Sequence, residues 1–154
     1  WQTRIPRRPV MSTTYNDPTR AQFDAFKDLP RDTPIQMLNL VQLRETADYP
    51  ADHALANTGL TGADAYKNYG AETRPILHKV GGSILWRGRY DTTLIGPTDE
   101  AWDAVFIAQY PNAGAFLAMV TDPDYQKAMV HRQAAVITSR LIRCAPTDGG
   151  ATFG

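Results

Sequence analysis

Cysteine is almost missing from this chain: Cys144 stands alone among 154 residues, so no intramolecular disulfide can staple the fold. A chain of this length buries about two thirds of its unfolded surface without a disulfide framework or structural metal, and one domain is expected. Long apolar runs are lacking too. None approaches the roughly 18 residues of a membrane span, and no hydrophobic signal segment opens the chain, so a cytoplasmic protein with no membrane partner is expected. An excess of either charge is also absent: 16 basic and 16 acidic residues cancel, and no overall field favours nucleic acid. The three histidines, His53, His78 and His131, lack metal-ligand spacing, so no metal is expected. Gly81-Gly82 follows a helical pattern instead of opening one, which removes the phosphate-cradling loop and the dinucleotide fingerprint, and no cofactor is expected. No serine sits in a nucleophile elbow, and Cys144, without an activating partner, reads as a small buried thiol at a strand end.

What the chain does contain is two segments apolar on both faces. Trp102 to Tyr110 alternates Trp102, Ala104, Phe106, Ala108 and Tyr110 against Asp103, Val105, Ile107 and Gln109, and Ile35 to Leu43 is its counterpart. A strand hydrophobic on both sides belongs in a sheet covered above and below. Ser83 to Tyr90 and Thr138 to Cys144 read as edge strands, since Arg87, Arg89, Arg140 and Arg143 discourage further pairing. Thr92 to Ile95 is expected to continue the first of these after a bend. Asn39 interrupts its apolar run on the face of Met37 and Val41, so its amide needs a partner in the protein or in a ligand.

Helices fill the intervals. Asp17-Pro18 reads as a cap and first helical position for a short helix ending at Leu29-Pro30. Thr61-Gly-Ala-Asp64 resembles a capping box for a helix to about Val80, whose stripe of Tyr66, Tyr69, Thr73, Ile76, Leu77 and Val80 faces the sheet. Pro75 is expected to kink it. Lys67, Arg74 and His78 fall on its outer flank. A phenol driven into that interface, as at Tyr66 and Tyr69, must satisfy its hydroxyl on protein, water or ligand. Pro111 to Val120 and the stretch from Asp122-Pro123 read as two helices end to end. The second carries Arg132 inward or to the rim, where it needs an anion, an internal carboxylate such as Asp103 or a ligand's acid group. His131 lies beside that stripe, within reach of a pocket edge. Residues 44 to 61 form a loop long enough to cover a site, with His53 read as exposed on it.

The expected organisation is a flexible arm over residues 1–16, a single domain over 17–145 and a loose tail over 146–154. The first ten residues are set apart from the fold because Met11 begins a stretch that reads as a natural start. Without the added N-terminal helix the order is strand, helix, strand, strand, helix, strand, a split β-α-β unit repeated once. Both helices then cover one face, and the apolar helix-free face is expected to meet a second copy in a symmetric homodimer.

Met-Leu-Asn-Leu at 37–40, Tyr66 to Tyr69, Gly81-Gly82 with Trp86 and Gly88, Ala101-Trp-Asp103, Tyr110-Pro111, Asp122-Pro-Asp-Tyr125, His131-Arg132 and Ser139-Arg-Leu-Ile142 together resemble the uncharacterised bacterial family called domain of unknown function 1330. The resemblance spans about residues 35 to 143. It implies an α+β, ferredoxin-like βαββαβ antiparallel sheet in a dimeric α+β barrel, a group whose members include cofactor-free monooxygenases, muconolactone isomerases, haem-binding chlorite dismutases and stress-response modules. Fold analogy alone does not choose among these chemistries. It also implies a pocket between sheet and helices that gathers Asn39, Tyr66, Trp86, His131 and Arg132. The first expectation is a small-molecule protein acting without cofactor on an aromatic or carbonyl compound. In it Tyr66 and His131 are the catalytic candidates, and Asn39, Tyr69, Trp86 and Arg132 bind substrate. The alternatives are a non-catalytic ligand-binding or stress-associated homodimer and, last, a haem protein.

Overall fold

The computed structural model describes residues 13–154, so most of the expected arm lies outside the described residues. Four strands and four helices follow in the order α1 (Arg20–Asp28), β1 (Ile35–Leu43), α2 (Gly62–Lys79), β2 (Ser83–Gly88), β3 (Ala104–Tyr110), α3 (Ala113–Thr121), α4 (Pro123–Ala135) and β4 (Val136–Cys144). The sheet is antiparallel with the order β2-β3-β1-β4. This is the ferredoxin-like α+β fold, with the two doubly apolar strands at the centre and the arginine-bearing strands at the edges. Apolar residues on both faces of β1 and β3 are the reason: a central strand loses water on both sides, whereas an edge strand keeps one margin wet.

Side chains of one register row stand on the same face. Arg87, Phe106, Asn39 and Leu141 form a row across all four strands on the helix side, and Trp86, Ile107, Leu38 and Ile142 form the adjacent row on the helix-free side. The helix-side core is built from Ile35, Met37, Ala108 and Tyr110 of the sheet with Ile76, Met119 and Tyr125 of the helices. A second cluster gathers Val41, Tyr49, Ala65, Ala134, Ala135 and Val136 where the 44–61 loop meets α2 and α4.

Several local expectations are corrected. The cap of α1 is Thr19, not Asp17: Thr19 Oγ1 accepts from Gln22 N at 3.1 Å, and the Gln22 side chain accepts from Thr19 N at 3.2 Å, completing a reciprocal box that Asp17-Pro18 does not offer. No residue of α1 is buried, because only one edge of it touches the body. β2 stops at Gly88, and Thr92 to Ile95 is not a strand; Leu94 and Ile95 stand almost fully exposed in the connection to β3. β3 begins at Ala104, two residues later than the alternation implies. Cys144 is exposed, since it ends an edge strand beyond the helices' cover. His53 is half-buried and stacks on Tyr49 with ring centroids 4.6 Å apart. Other expectations agree with the structure: Thr61 Oγ1 caps α2 through Asp64 N at 3.1 Å, Asp122 Oδ1 caps α4 through Asp124 N at 2.8 Å, and Gly81 takes positive φ just past α2.

Candidate ligand-binding site

Between the helices and the sheet lies an open cleft of about 2400 Å³. Its floor is the row Arg87, Phe106, Asn39 and Leu141, with Met37 and Ala108 beside it. Its roof is made by Tyr66 and Tyr69 of α2 and by Tyr125, Met129 and Arg132 of α4. Phe23 and Phe26 of α1 line the margin over α3, where Phe26 lies 5.1 Å from Phe116. Arg143 holds α1 there: its guanidinium donates to Phe26 O at 3.2 Å and Pro30 O at 2.6 Å and rests over the Phe26 ring.

The roof is a run of phenols. Tyr69 and Tyr125 share a hydroxyl–hydroxyl hydrogen bond of 2.6 Å, and Tyr66 packs against Tyr69 at 5.5 Å between ring centroids. Burial pushes the Tyr69 hydroxyl well above its ordinary pKa, and the neighbouring Tyr125 raises it further. Burial likewise raises Tyr66, to about 12, although the positive charge of Arg132 and, more weakly, of Arg87 pulls the other way. Both phenols are therefore protonated donors near neutral pH. Unlike its neighbours, the Tyr66 hydroxyl has no hydrogen-bond partner among the described residues. Asn39 Nδ2 donates to Met37 O at 3.0 Å, which leaves its amide oxygen open on the cleft floor.

The structure thus brings Asn39, Tyr66, Tyr69 and Arg132 to one cleft. It does not bring Trp86 or His131 to it. The Trp86 ring is half-exposed on the helix-free face, where it lies over Gly88; a side chain at that glycine would meet the ring at 2.5 Å. His131 is buried between α2, α4 and the 44–61 loop: Nδ1 lies 2.7 Å from the Tyr49 hydroxyl and Nε2 lies 3.0 Å from Glu72 Oε1. Among the described residues Arg132 pairs with no carboxylate. It donates to Asn16 O at 3.0 Å and to Ser139 Oγ at 3.1 Å, whereas Asp103 Oδ2 accepts from Leu43 N at 2.7 Å. Among the described residues, no three His, Cys, Asp or Glu side chains are grouped as a metal site would require, and no helix is long and apolar enough to cross a membrane.

A family model described as "Domain of unknown function (DUF1330)" matches residues 52–143. The chain belongs to the DUF1330 family. In sequence it is 47% identical to RPA0582, a protein of unknown function from Rhodopseudomonas palustris, whose crystal structure superposes with a TM-score of 0.81 over 89% of this chain and 100% of that one. The methylated form of RPA0582 gives 0.82 at the same identity, over 90% and 99%. SnoaB, a cofactor-independent oxygenase from Streptomyces nogalater, is 15% identical over 76% of this chain and 96% of its own, with a TM-score of 0.47. No curated protein sequence matches.

Within this DUF1330 chain the matched region contains Tyr66, Tyr69, Arg87, Tyr125 and Arg132, whereas Asn39 precedes it. Sequence reasoning missed Arg87 and Tyr125 as cleft residues. Tyr125 carried a signal, because it lies two helical turns before Arg132 on the same face of α4. Arg87 carried a misleading one, because an arginine on an edge strand ordinarily serves to keep that edge in water. The Tyr49–His131–Glu72 chain was also missed, since its members lie on three elements and only the fold brings them together.

Proposed function

We propose that this DUF1330 protein binds a small aromatic or carbonyl compound in the cleft between sheet and helices, and that it does so as a homodimer joined through the helix-free sheet face. The observation that carries the reading is the Tyr66 hydroxyl, a protonated donor inside an aromatic cleft with no partner among the described residues. A ligand carbonyl or phenolate that accepts from it in place of water gains a net of about 0.5–1.5 kcal/mol. Asn39, Tyr69 and Arg132 are the accompanying binding groups, and Tyr66 is the orienting one. His131, the other catalytic candidate, has both ring nitrogens engaged by Tyr49 and Glu72, so binding is better supported than proton transfer.

The dimer rests on the other face. Trp86, Ile107, Leu38 and Ile142 make an apolar row across the whole sheet, and Trp86 and Ile142 keep 51% and 46% of their surface accessible in the single chain. Two copies meeting face to face would bury that row symmetrically. The ligand reading is tested by thermal shift with a panel of small aromatic and carbonyl compounds. At least one compound raises the Tm of the wild type, and Tyr66→Phe weakens its binding by about tenfold, the worth of one buried hydrogen bond. A panel without a binder, or a binder indifferent to Tyr66→Phe and to Asn39→Ala alike, rejects it.

A further inference from the structure

The chain as a whole is electrically balanced, but the cleft is not. Arg89 and Arg140 at its margin have acidic partners, Asp91 at 3.7 Å and Glu100 at 3.4 Å. Arg87, Arg132 and Arg143 pair with no carboxylate among the described residues: Arg143 is bound to backbone carbonyls, Arg87 lies over the Phe106 ring at 5.9 Å, and Arg132 has one carbonyl and one hydroxyl. The carboxylates of the lining, Asp17 and Asp103, belong to exposed residues, and Asp103 already accepts from the Leu43 amide.

Arginine keeps its charge at any working pH, and a guanidinium held among neutral groups has lost hydration without gaining a counter-charge. Arg132 is such a group. Its two bonds occupy two of the five N–H donors of a guanidinium, and its field reaches the unpartnered Tyr66 hydroxyl. A planar oxyanion lying between them would take charge-assisted bonds from Arg132 and a neutral one from Tyr66. Behind that point the roof is aromatic: Tyr66, Tyr69 and Tyr125 form a contiguous series, with ring centroids 5.5 and 6.1 Å apart, facing Phe106 on the floor. Such walls accommodate a flat ring by stacked or edge contacts.

We infer that the cleft is selective for aryl carboxylates, with the carboxylate held by Arg132 and Tyr66 and the ring between the tyrosine roof and Phe106. This rests on the reading of the cleft as a ligand site and adds the charge of the ligand to it. Uncharged isosteres lose the pairing with Arg132 and keep only the ring contacts.

The experiment is a calorimetric titration of the full chain with benzoate and with benzamide, repeated on Arg132→Gln, Arg132→Lys and Tyr66→Phe, each variant first shown by circular dichroism to be folded. Benzoate binds the wild type at least about tenfold more tightly than benzamide. Arg132→Gln removes that preference by weakening benzoate far more than benzamide, while Arg132→Lys retains part of it because the charge persists without the planar fork. If the two probes bind equally, or if the preference survives Arg132→Gln, the anion assignment is wrong and the cleft remains a site for neutral rings. If neither probe binds, the anion assignment and the cleft reading fail together. Should Arg132→Gln not fold, Tyr66→Phe decides, since it must narrow the preference by weakening benzoate more than benzamide.

Discussion

Replacing Gly62 by alanine should destabilise the protein although the same change normally strengthens a helix. Gly62 is the first residue of α2 and is buried against the start of the 44–61 loop. A Cβ built there would lie 2.1 Å from Arg44 O and 2.8 Å from Arg44 N, both backbone atoms that no rotamer change can move. Carbon and oxygen ordinarily stay more than 3 Å apart, so the helix start or the strand end must shift by about 1 Å. Overpacking of this kind costs about 1–3 kcal/mol, against a helix-propensity gain of at most about 1 kcal/mol. Gly70 supplies the control within the same helix: it is exposed, and a Cβ there meets nothing within 4 Å. Gly70→Ala should therefore stabilise by about 0.5–1 kcal/mol. At about 2–4 °C per kcal/mol for a domain of this size, thermal melts followed by far-ultraviolet circular dichroism should separate the two variants in opposite directions from wild type. The consequence reaches the site, because displacing the start of α2 also displaces Tyr66 and Tyr69. A Gly62→Ala protein as stable as Gly70→Ala would refute the steric argument and, with it, the close seating of α2 on the end of β1.

Two further outcomes are expected. Ile107→Asp places a charge in the middle of the helix-free apolar row, and sedimentation should show a wild-type dimer reduced to monomer while the fold, judged by circular dichroism, persists; a monomeric wild type would remove the proposed interface. The raised hydroxyl of Tyr66 makes stability fall with alkalinity. Its folded pKa of about 12 exceeds the ordinary 10.0, so the unfolded chain releases this proton first, and the stability present below pH 10 declines by about 1.4 kcal/mol per pH unit between 10 and 12. Urea titrations at pH 8, 10 and 11 should give a shallower decline for Tyr66→Phe than for wild type, and equal slopes would count against burial of that hydroxyl.

Much of the scaffold was legible because it follows from periodicity. Two strands apolar on both faces must lie inside a sheet, and a Thr or Asp positioned to bind the third or second amide of a helix starts it. Four of the residues that share the cleft were readable as well: Asn39 interrupts an apolar strand, Tyr66 and Tyr69 lie on a sheet-facing stripe, and Arg132 is carried inward by the stripe of α4. Partners were not readable at the same level. The pairing of Arg132 with Asp103 was plausible by charge, yet the guanidinium meets Asn16 O and Ser139 Oγ, because those atoms are what β4 and the segment before α1 present at that point.

The exchange of Trp86 and Arg87 marks the boundary between the two kinds of information. Strict alternation from Ile84, which pairs with the cleft-facing Ala108, would turn Trp86 into the cleft and Arg87 out of it. An irregularity between Ile84 and Trp86 shifts the register by one residue, and the tryptophan goes to the helix-free face while the arginine joins the cleft floor. Local composition determined the elements, their order and which strands lie inside, since each depends on neighbours a few residues away. Which side chains converge on the cleft, and with what net charge, was decided by pairing between distant segments, where a single extra residue in one strand reverses every face beyond it.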